Sequence, residues 1–105
     1  MKSYEGIRTE DGIVEVTVDG RPLDPRFDLR RHSPTGFEFG YGGSGPSQLA
    51  LAILADALGD DEQAQQHYQR FKREKISRLE ESPWVITQEE VRRWIDRLLK
   101  APERE

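Results

Sequence analysis

The sequence predicts an α+β domain in which a small antiparallel sheet of three or four strands packs against three helices. Three observations predict it. Two Asp-Gly turns separate apolar runs early in the chain, the later part carries apolar residues at helical spacing, and strands and helices do not alternate. Strands followed by helices are typical of the α+β class. We therefore expect a β-rich and irregular half over 4–41 and a helical half over 46–100.

The N-terminal third predicts a β-meander. Strands are expected over 4–8 and 13–18, with the Asp-Gly pair at 11–12 as the hairpin turn between them. The valines of the second run alternate with Glu and Thr, which indicates one buried and one solvated face. A second Asp-Gly pair at 19–20 turns the chain again.

The stretch 21–36 carries three prolines, which exclude a helix and a long central strand. We expect an ordered, irregular segment anchored by Leu23, Phe27 and Leu29. The residues FEFGY at 37–41 alternate aromatic side chains and predict a short strand.

Helix one is predicted over about 46–58, with proline at its first position and Gly59 as its stop signal. It is almost entirely Ala, Leu and Ile, so we expect it to be the central, most buried element. After a tight turn, helix two is expected to begin at Asp60 or Asp61 and to continue to about Leu79.

The inward stripe of helix two is predicted to be Ala64, Tyr68, Phe71 and Leu79, interrupted by Lys75. The segment Ser82–Ile86 is predicted to be a connector or a short strand. Helix three begins with a capping box, Thr87 and Glu90. Its apolar face is predicted to be Val91, Trp94, Ile95 and Leu98, and the tail 101–105 is expected to fray.

Composition limits the classes of function. We interpret the chain 1–105 as a single domain without cysteine, which excludes disulfides and thiolate metal sites and favours a reducing compartment. With two histidines and no metal-binding spacing, neither a metal site nor a cofactor is predicted. The longest apolar run is too short to span a bilayer and no secretory signal is recognisable, so we expect a cytoplasmic protein without membrane association.

The glycine loop, GYGGSGPS at 40–47, has the spacing of a phosphate-binding P-loop, but proline stands at the lysine position. Successive backbone N–H groups at a helix start can hold an anion. The candidate ligand-binding residues of the loop are Gly42, Gly43, Ser44, Gly45 and Ser47. The alternative is that the glycines only turn the chain sharply into a buried helix.

Arg30, Arg31 and His32 precede this loop and are candidates to complete an anion or nucleotide site, because arginine suits bidentate phosphate recognition. Asp24 and Asp28 lie among the nearby arginines, so internal salt bridges are the alternative.

The basic half of helix two is a weak nucleic-acid candidate through Arg70, Lys72, Arg73 and Lys75. The alternative is complementation of the helix dipole, because the same helix begins with acidic residues. The net charge of −4 makes nucleic acid an unlikely partner. No catalytic residues are assigned, so enzymatic activity is unsupported.

Over about residues 4–98, the sequence resembles an uncharacterised family of small bacterial, plasmid and phage proteins that is known only as a domain of unknown function. The block FGYGGSGPSQLALAIL is the most specific part of this resemblance. The resemblance implies a stand-alone cytosolic domain encoded near mobile elements. It brings no activity, cofactor or catalytic residue.

Three functions remain open from the sequence. The first is a non-enzymatic binding or accessory protein that acts through a protein partner, in a mobile-element or host-defence context. The second is an anion or nucleotide binder that uses the glycine loop, and the third is a nucleic-acid binder that uses helix two. Exposure of both Trp84 and Trp94 would favour the first, because aromatic side chains anchor interfaces.

Overall fold

The computed structural model describes residues 1–100, so the predicted frayed tail 101–105 lies outside the described residues. The fold is α+β, with three α-helices and a four-stranded antiparallel sheet, as the sequence predicts. The strands are β1 (Ser3–Arg8), β2 (Val14–Val18), β3 (Arg21–Pro22) and β4 (Trp84–Thr87). The helices are α1 (Ser44–Leu58), α2 (Asp61–Glu74) and α3 (Gln88–Lys100).

The strand order in the sheet is β3-β2-β1-β4. The first three strands form the predicted meander, and β4 joins it from the C-terminal half by pairing Trp84 with Gly6 beside β1. Both Asp-Gly pairs form turns, with left-handed glycines at Gly12 (φ 83°) and Gly20 (φ 84°). Strand β4 begins at Trp84, so the short strand predicted within Ser82–Ile86 is confirmed for the C-terminal part of that segment.

The predicted strand at 37–41 is wrong. The segment is irregular and joins no strand of the sheet. It is held instead by Phe39, which is buried against Trp84, and by a hydrogen bond from Gly40 N–H to the Ile76 carbonyl (3.0 Å). Gly40 has φ 89°, which turns the chain away from an extended path.

Helix α1 is the central element, as predicted. It begins at Ser44, two residues earlier than expected, which places Pro46 in the first turn, where its missing N–H costs nothing. It ends at Gly59 in the left-handed conformation (φ 63°). The sheet is tied to it by the buried Tyr4, whose hydroxyl donates to Asp56 on α1 (2.6 Å).

Helix α2 ends at Glu74 and a 3₁₀ turn follows over Ile76–Arg78, so the predicted continuation to Leu79 is wrong. A continuous helix would have placed Lys75 on the inward stripe. The break keeps Lys75 exposed and buries Ile76 completely instead. Ala64, Tyr68 and Phe71 are buried as predicted, and Leu79 is partly buried.

Helix α3 begins with the predicted capping box. Thr87 Oγ1 accepts from Glu90 N–H, and Glu90 Oε1 accepts from Thr87 N–H (both 3.1 Å). The predicted apolar face is buried, with Leu98 partly so. No helix within residues 1–100 is both long and apolar enough to cross a membrane.

Candidate functional site

A cavity of about 300 Å³ lies beside the first turn of α1. Its polar lining includes Ser33, Thr35 and Ser44, and Gly45 and Glu38 also border it. Among the candidate residues of the glycine loop, Ser44 and Gly45 therefore line the cavity. Gly42 is exposed, Gly43 is the N-cap residue of α1, and Ser47 is buried.

The glycines of the loop have different requirements. A side chain at Gly45 would meet Glu38 Cβ at 2.6 Å, so this glycine permits close packing of α1 on the preceding segment. At Gly43 only the exposed ring of Tyr41 is near, and at Gly42 nothing is. Packing and turning of the chain therefore account for Gly40 and Gly45, and they leave Gly42 and Gly43 without a demonstrated structural requirement.

The electrostatics of the cavity are dominated by a carboxylate. Glu38 accepts two hydrogen bonds from the Arg8 guanidinium (2.8 and 3.2 Å), which lowers the pKa of this carboxyl and keeps it ionised. Arg30 and Arg31 do not line the cavity, and the Arg31 guanidinium lies 5.2 Å from the centre of the Phe27 ring. The described residues that line the cavity include no Lys or Arg, and the Glu38 carboxylate already has its cation, so the cavity suits a neutral hydrogen-bonding group better than a phosphate.

Gln48 organises the irregular segment 25–33. This side chain on α1 is completely buried, and its amide donates to the Pro25 carbonyl (2.6 Å) and the Arg30 carbonyl (3.0 Å). Its oxygen accepts from the N–H groups of His32 (2.7 Å) and Ser33 (3.1 Å). One amide thus satisfies four backbone groups and fixes the segment against α1.

The same segment is braced at its other end by Arg26, which adopts a left-handed backbone (φ 59°). Its guanidinium forms two hydrogen bonds to Asp28 (both 3.0 Å) and two to Asp61 on α2 (2.7 and 3.0 Å). These bonds raise the pKa of Arg26 and lower that of Asp28. Arg26 therefore has an internal structural partner, whereas Arg30 and Arg31 remain exposed.

His32 Nε2 lies 2.5 Å from the Tyr68 hydroxyl on α2. Partial burial is the main cause that lowers the pKa of His32 below the usual 6.5, and the positive charges of Arg30 and Lys72 add to it. In the folded protein the imidazole is therefore neutral under conditions in which it takes up a proton in the unfolded chain.

We expect acidification from about pH 7.5 to about pH 5.5 to lower the free energy of unfolding, because the unfolded chain binds the His32 proton first as the pH falls below 6.5. Urea denaturation at both pH values measures the loss. His32→Gln should reduce it, whereas His67→Gln should not. Equal pH dependence in wild type and His32→Gln would contradict the assignment. The carboxyls with lowered pKa values titrate below this window.

The basic half of α2 is largely a solvated helix end. Arg70 pairs with Glu74 (2.7 Å), and Glu74 also accepts from the Trp94 indole N–H (2.8 Å). Lys72 is partly buried near His32, and Arg73 and Lys75 are exposed. The four candidate residues do not share a ligand-sized cavity in the described part of the chain. Their arrangement also fits the helix-dipole alternative.

Within residues 1–100, no helix covers the outer face of the sheet. Inward side chains such as Tyr4 and Val16 belong to the core, whereas Ile7, Ile13 and Val85 are 44%, 59% and 54% exposed. We call these three residues the apolar stripe. The register places Ile7 and Val85 diagonally on neighbouring strands at the end where β1 stops. Ile13 lies just before β2, where its carbonyl accepts from Thr9 N–H (2.8 Å), and it also borders the cavity beside α1.

Both tryptophans, in contrast, are buried, at 6% exposure for Trp84 and 4% for Trp94. They do not provide interface anchors. The apolar stripe was not predicted from the sequence, although the alternation of β1 and the apolar residue at Ile13 indicate it. Gln48 was not predicted as a functional residue either; its signal is a single amide in an otherwise apolar helix.

Comparison with known proteins gives a family and no relative of known activity. No curated protein and no solved structure matches this chain. Residues 1–100 hold no group of three or more His, Cys, Asp or Glu side chains that could bind a metal ion. The sequence model described as "Family of unknown function (DUF6166)" matches residues 4–97, so the chain belongs to this family.

Proposed function

We propose that this protein is a non-enzymatic binding protein that acts through a protein partner on the uncovered face of its sheet. The observation that carries the proposal is the apolar stripe. Three large aliphatic side chains on one face remain in water, and a continuous exposed apolar surface rimmed by polar residues is typical of an interaction site. The opposite face of the same sheet is buried by the helices, so only this face is accessible.

The partner is expected to bind the face of the sheet and not its edge. The Gln88 N–H donates to the Lys2 carbonyl, so every second residue of β4 from Gln88 backwards has its backbone N–H and carbonyl directed at β1. The backbone groups of Val85 and Thr87, which lie between these residues, therefore face the open side of β4. The Thr87 N–H is already bonded to Glu90. Val85 is thus the one β4 residue with an N–H for an added strand, which is too little for β-augmentation.

The cellular setting is part of the proposal. A chain without cysteine fits a reducing compartment, so we place the protein in the cytoplasm. A bacterial, plasmid or phage origin, with a role in mobile-element or host-defence conflict, is supported only by the family resemblance over about residues 4–98, of which FGYGGSGPSQLALAIL is the most specific part.

The two alternative functions have weaker support. An anion or nucleotide at the glycine loop would meet the Glu38 carboxylate without help from Arg30 or Arg31. A nucleic acid on α2 would find Arg70 already paired with Glu74.

Val85→Ser is expected to abolish partner binding, because it removes an apolar anchor from the outer face without touching the core. The measurement is quantitative affinity purification of the tagged protein from the cell that encodes it, with wild type and variant compared. Leu99→Ser is the matched control, because Leu99 on α3 is exposed to nearly the same extent, 53% against 54%. Equal recovery of the same protein with wild type and Val85→Ser would refute the proposal.

A further inference from the structure

We infer that the partner on the outer face is a basic protein segment whose apolar side chains contact the apolar stripe and whose Lys or Arg side chains meet the carboxylates around it. The inference rests on the proposed function and adds the chemistry of the partner. It follows from the charges that surround Ile7, Ile13 and Val85.

The outer face carries negative charge only. The charged side chains that the register turns outward on β1, β2 and β4 are Glu5 and Glu15, and both are exposed. Glu5 lies directly opposite Val85, and Glu15 lies directly opposite Ile7. Each carboxylate is thus a direct neighbour of an exposed aliphatic side chain.

More carboxylates lie at the end of the sheet where the apolar stripe is found. The β1–β2 turn contributes Glu10 and Asp11, and the loop that enters β4 contributes Glu80 and Glu81. None of these four, nor Glu5 or Glu15, forms an ion pair within the described residues. Of the nearby cations, Arg8 is already neutralised by Glu38. Arg78 borders the same pocket as Glu80 and Glu81, without an ion pair to either within the described residues.

Carboxylates elsewhere in the described chain include paired ones, such as Asp56 with Lys2 and Glu89 with Arg93, and unpaired ones, such as Glu62 and Asp96. The outer face differs by its concentration of unpaired carboxylates beside exposed apolar side chains. Six like charges around one apolar stripe repel one another in the free protein, and a cationic partner relieves that repulsion. The aliphatic contacts would then supply most of the affinity, and the charges would supply orientation and a fast association rate.

The charges also decide between occupants of the face. A nucleic acid would be repelled by the carboxylates. A second copy of this chain in a two-fold dimer would place the same acidic surface against itself, because the same patch faces its own copy in such an interface. A protein segment with aliphatic and basic side chains satisfies both the apolar stripe and its surroundings.

The experiment is a selection with the immobilised full chain and a random peptide display library. We expect the selected peptides to be enriched in Lys or Arg together with aliphatic residues, relative to the input library. A synthetic copy of the best peptide should lose binding to Val85→Ser. Its Kd should rise about threefold to tenfold for the double variant Glu5→Gln/Glu15→Gln, with a weaker salt dependence.

The matched control removes the same two charges elsewhere. Glu62→Gln/Asp96→Asn on α2 and α3 should change the Kd less than about twofold, because both residues are exposed on helices away from the outer face. Circular dichroism before and after heating checks that every variant is folded.

The other outcomes overturn the inference in distinguishable ways. Peptides that require Val85 but carry no excess of basic residues refute the basic partner and leave the proposed function standing. Basic peptides that bind Val85→Ser as tightly as wild type refute both. A library that yields no binding peptide also refutes the basic partner. A wild-type dimer that Val85→Ser converts to a monomer refutes it as well, because a second copy of the chain then occupies the outer face.

Discussion

Replacing Gln48 by leucine is expected to lower the free energy of unfolding by about 3–5 kcal/mol, although leucine is apolar and similar in size. The loss of stability arises from the backbone groups to which the Gln48 side chain is hydrogen-bonded. Two partly buried carbonyls, of Pro25 and Arg30, and two N–H groups, of His32 and Ser33, lose their hydrogen bonds at once. Each buried group left without a partner costs about 1–3 kcal/mol, and partial rehydration of the segment reduces the sum.

Urea denaturation followed by circular dichroism measures this change, and hydrogen exchange locates it. The amides of His32 and Ser33 should lose protection in Gln48→Leu, because their acceptor is gone. Gln66→Leu on the exposed side of α2 is the matched control, and we expect it to change the stability by less than about 0.5 kcal/mol. A Gln48→Leu protein as stable as this control, with both amides still protected, would rule out the organising role.

Gln48 also matters for the candidate cavity. Ser33 lines the cavity and donates its backbone N–H to Gln48, so the position of one cavity wall depends on this amide. Any ligand site beside the glycine loop would therefore be coupled to the packing of segment 25–33 on α1. Ile13 of the apolar stripe also borders this cavity, whereas Ile7 and Val85 do not, so variants at Ile7 or Val85 test the outer face separately from the cavity.

The parts of the fold that the sequence predicted are those with a local chemical signal. The Asp-Gly turns, the Gly59 stop and the Thr87–Glu90 capping box each act over four residues or fewer, so they are readable without knowledge of the neighbours. The FEFGY prediction failed because contacts distant in sequence hold the segment: the Phe39 ring packs on Trp84, and the Gly40 N–H donates to the Ile76 carbonyl. The alternation of aromatic side chains in FEFGY carries no information about which distant residues the segment contacts.

The candidate site was predictable only in part, for a similar physical reason. Spacing placed Ser44 and Gly45 in a loop next to the start of helix one, whereas both residues belong to the first turn of α1. Whether Arg30 reaches that helix start depends on how segment 25–33 folds back, and that path is set by Gln48 and by Arg26 with Asp61, residues distant in sequence. The apolar stripe likewise exists only because helices cover one face of the sheet and not the other.

Gly6→Ala is expected to lower the free energy of unfolding by about 2–4 kcal/mol, because the tryptophan opposite leaves no room for a methyl group. Gly6 pairs directly with Trp84 across β1 and β4, and the indole lies over the glycine backbone. An added Cβ would lie 2.2 Å from Cζ2 and 2.3 Å from Cε2 of Trp84. The indole is only 6% exposed and packs edge to face on Phe39 (5.9 Å between ring centres), so it cannot move aside without disturbing the core.

The control for Gly6→Ala is Gly42→Ala, where a side chain meets nothing within 4 Å and the backbone is not left-handed. Alanine restricts the unfolded chain more than glycine does, so Gly42→Ala should be as stable as wild type or slightly more stable. Trp84→Phe supplies the specific test, since a smaller ring makes room above Gly6. In a double-mutant cycle measured by urea denaturation, Gly6→Ala should therefore cost less in the Trp84→Phe background than in wild type. If Gly6→Ala lowers the free energy of unfolding equally in both backgrounds, the indole does not constrain position 6. The close β1–β4 packing that presents Ile7 and Val85 on the outer face would then need another cause.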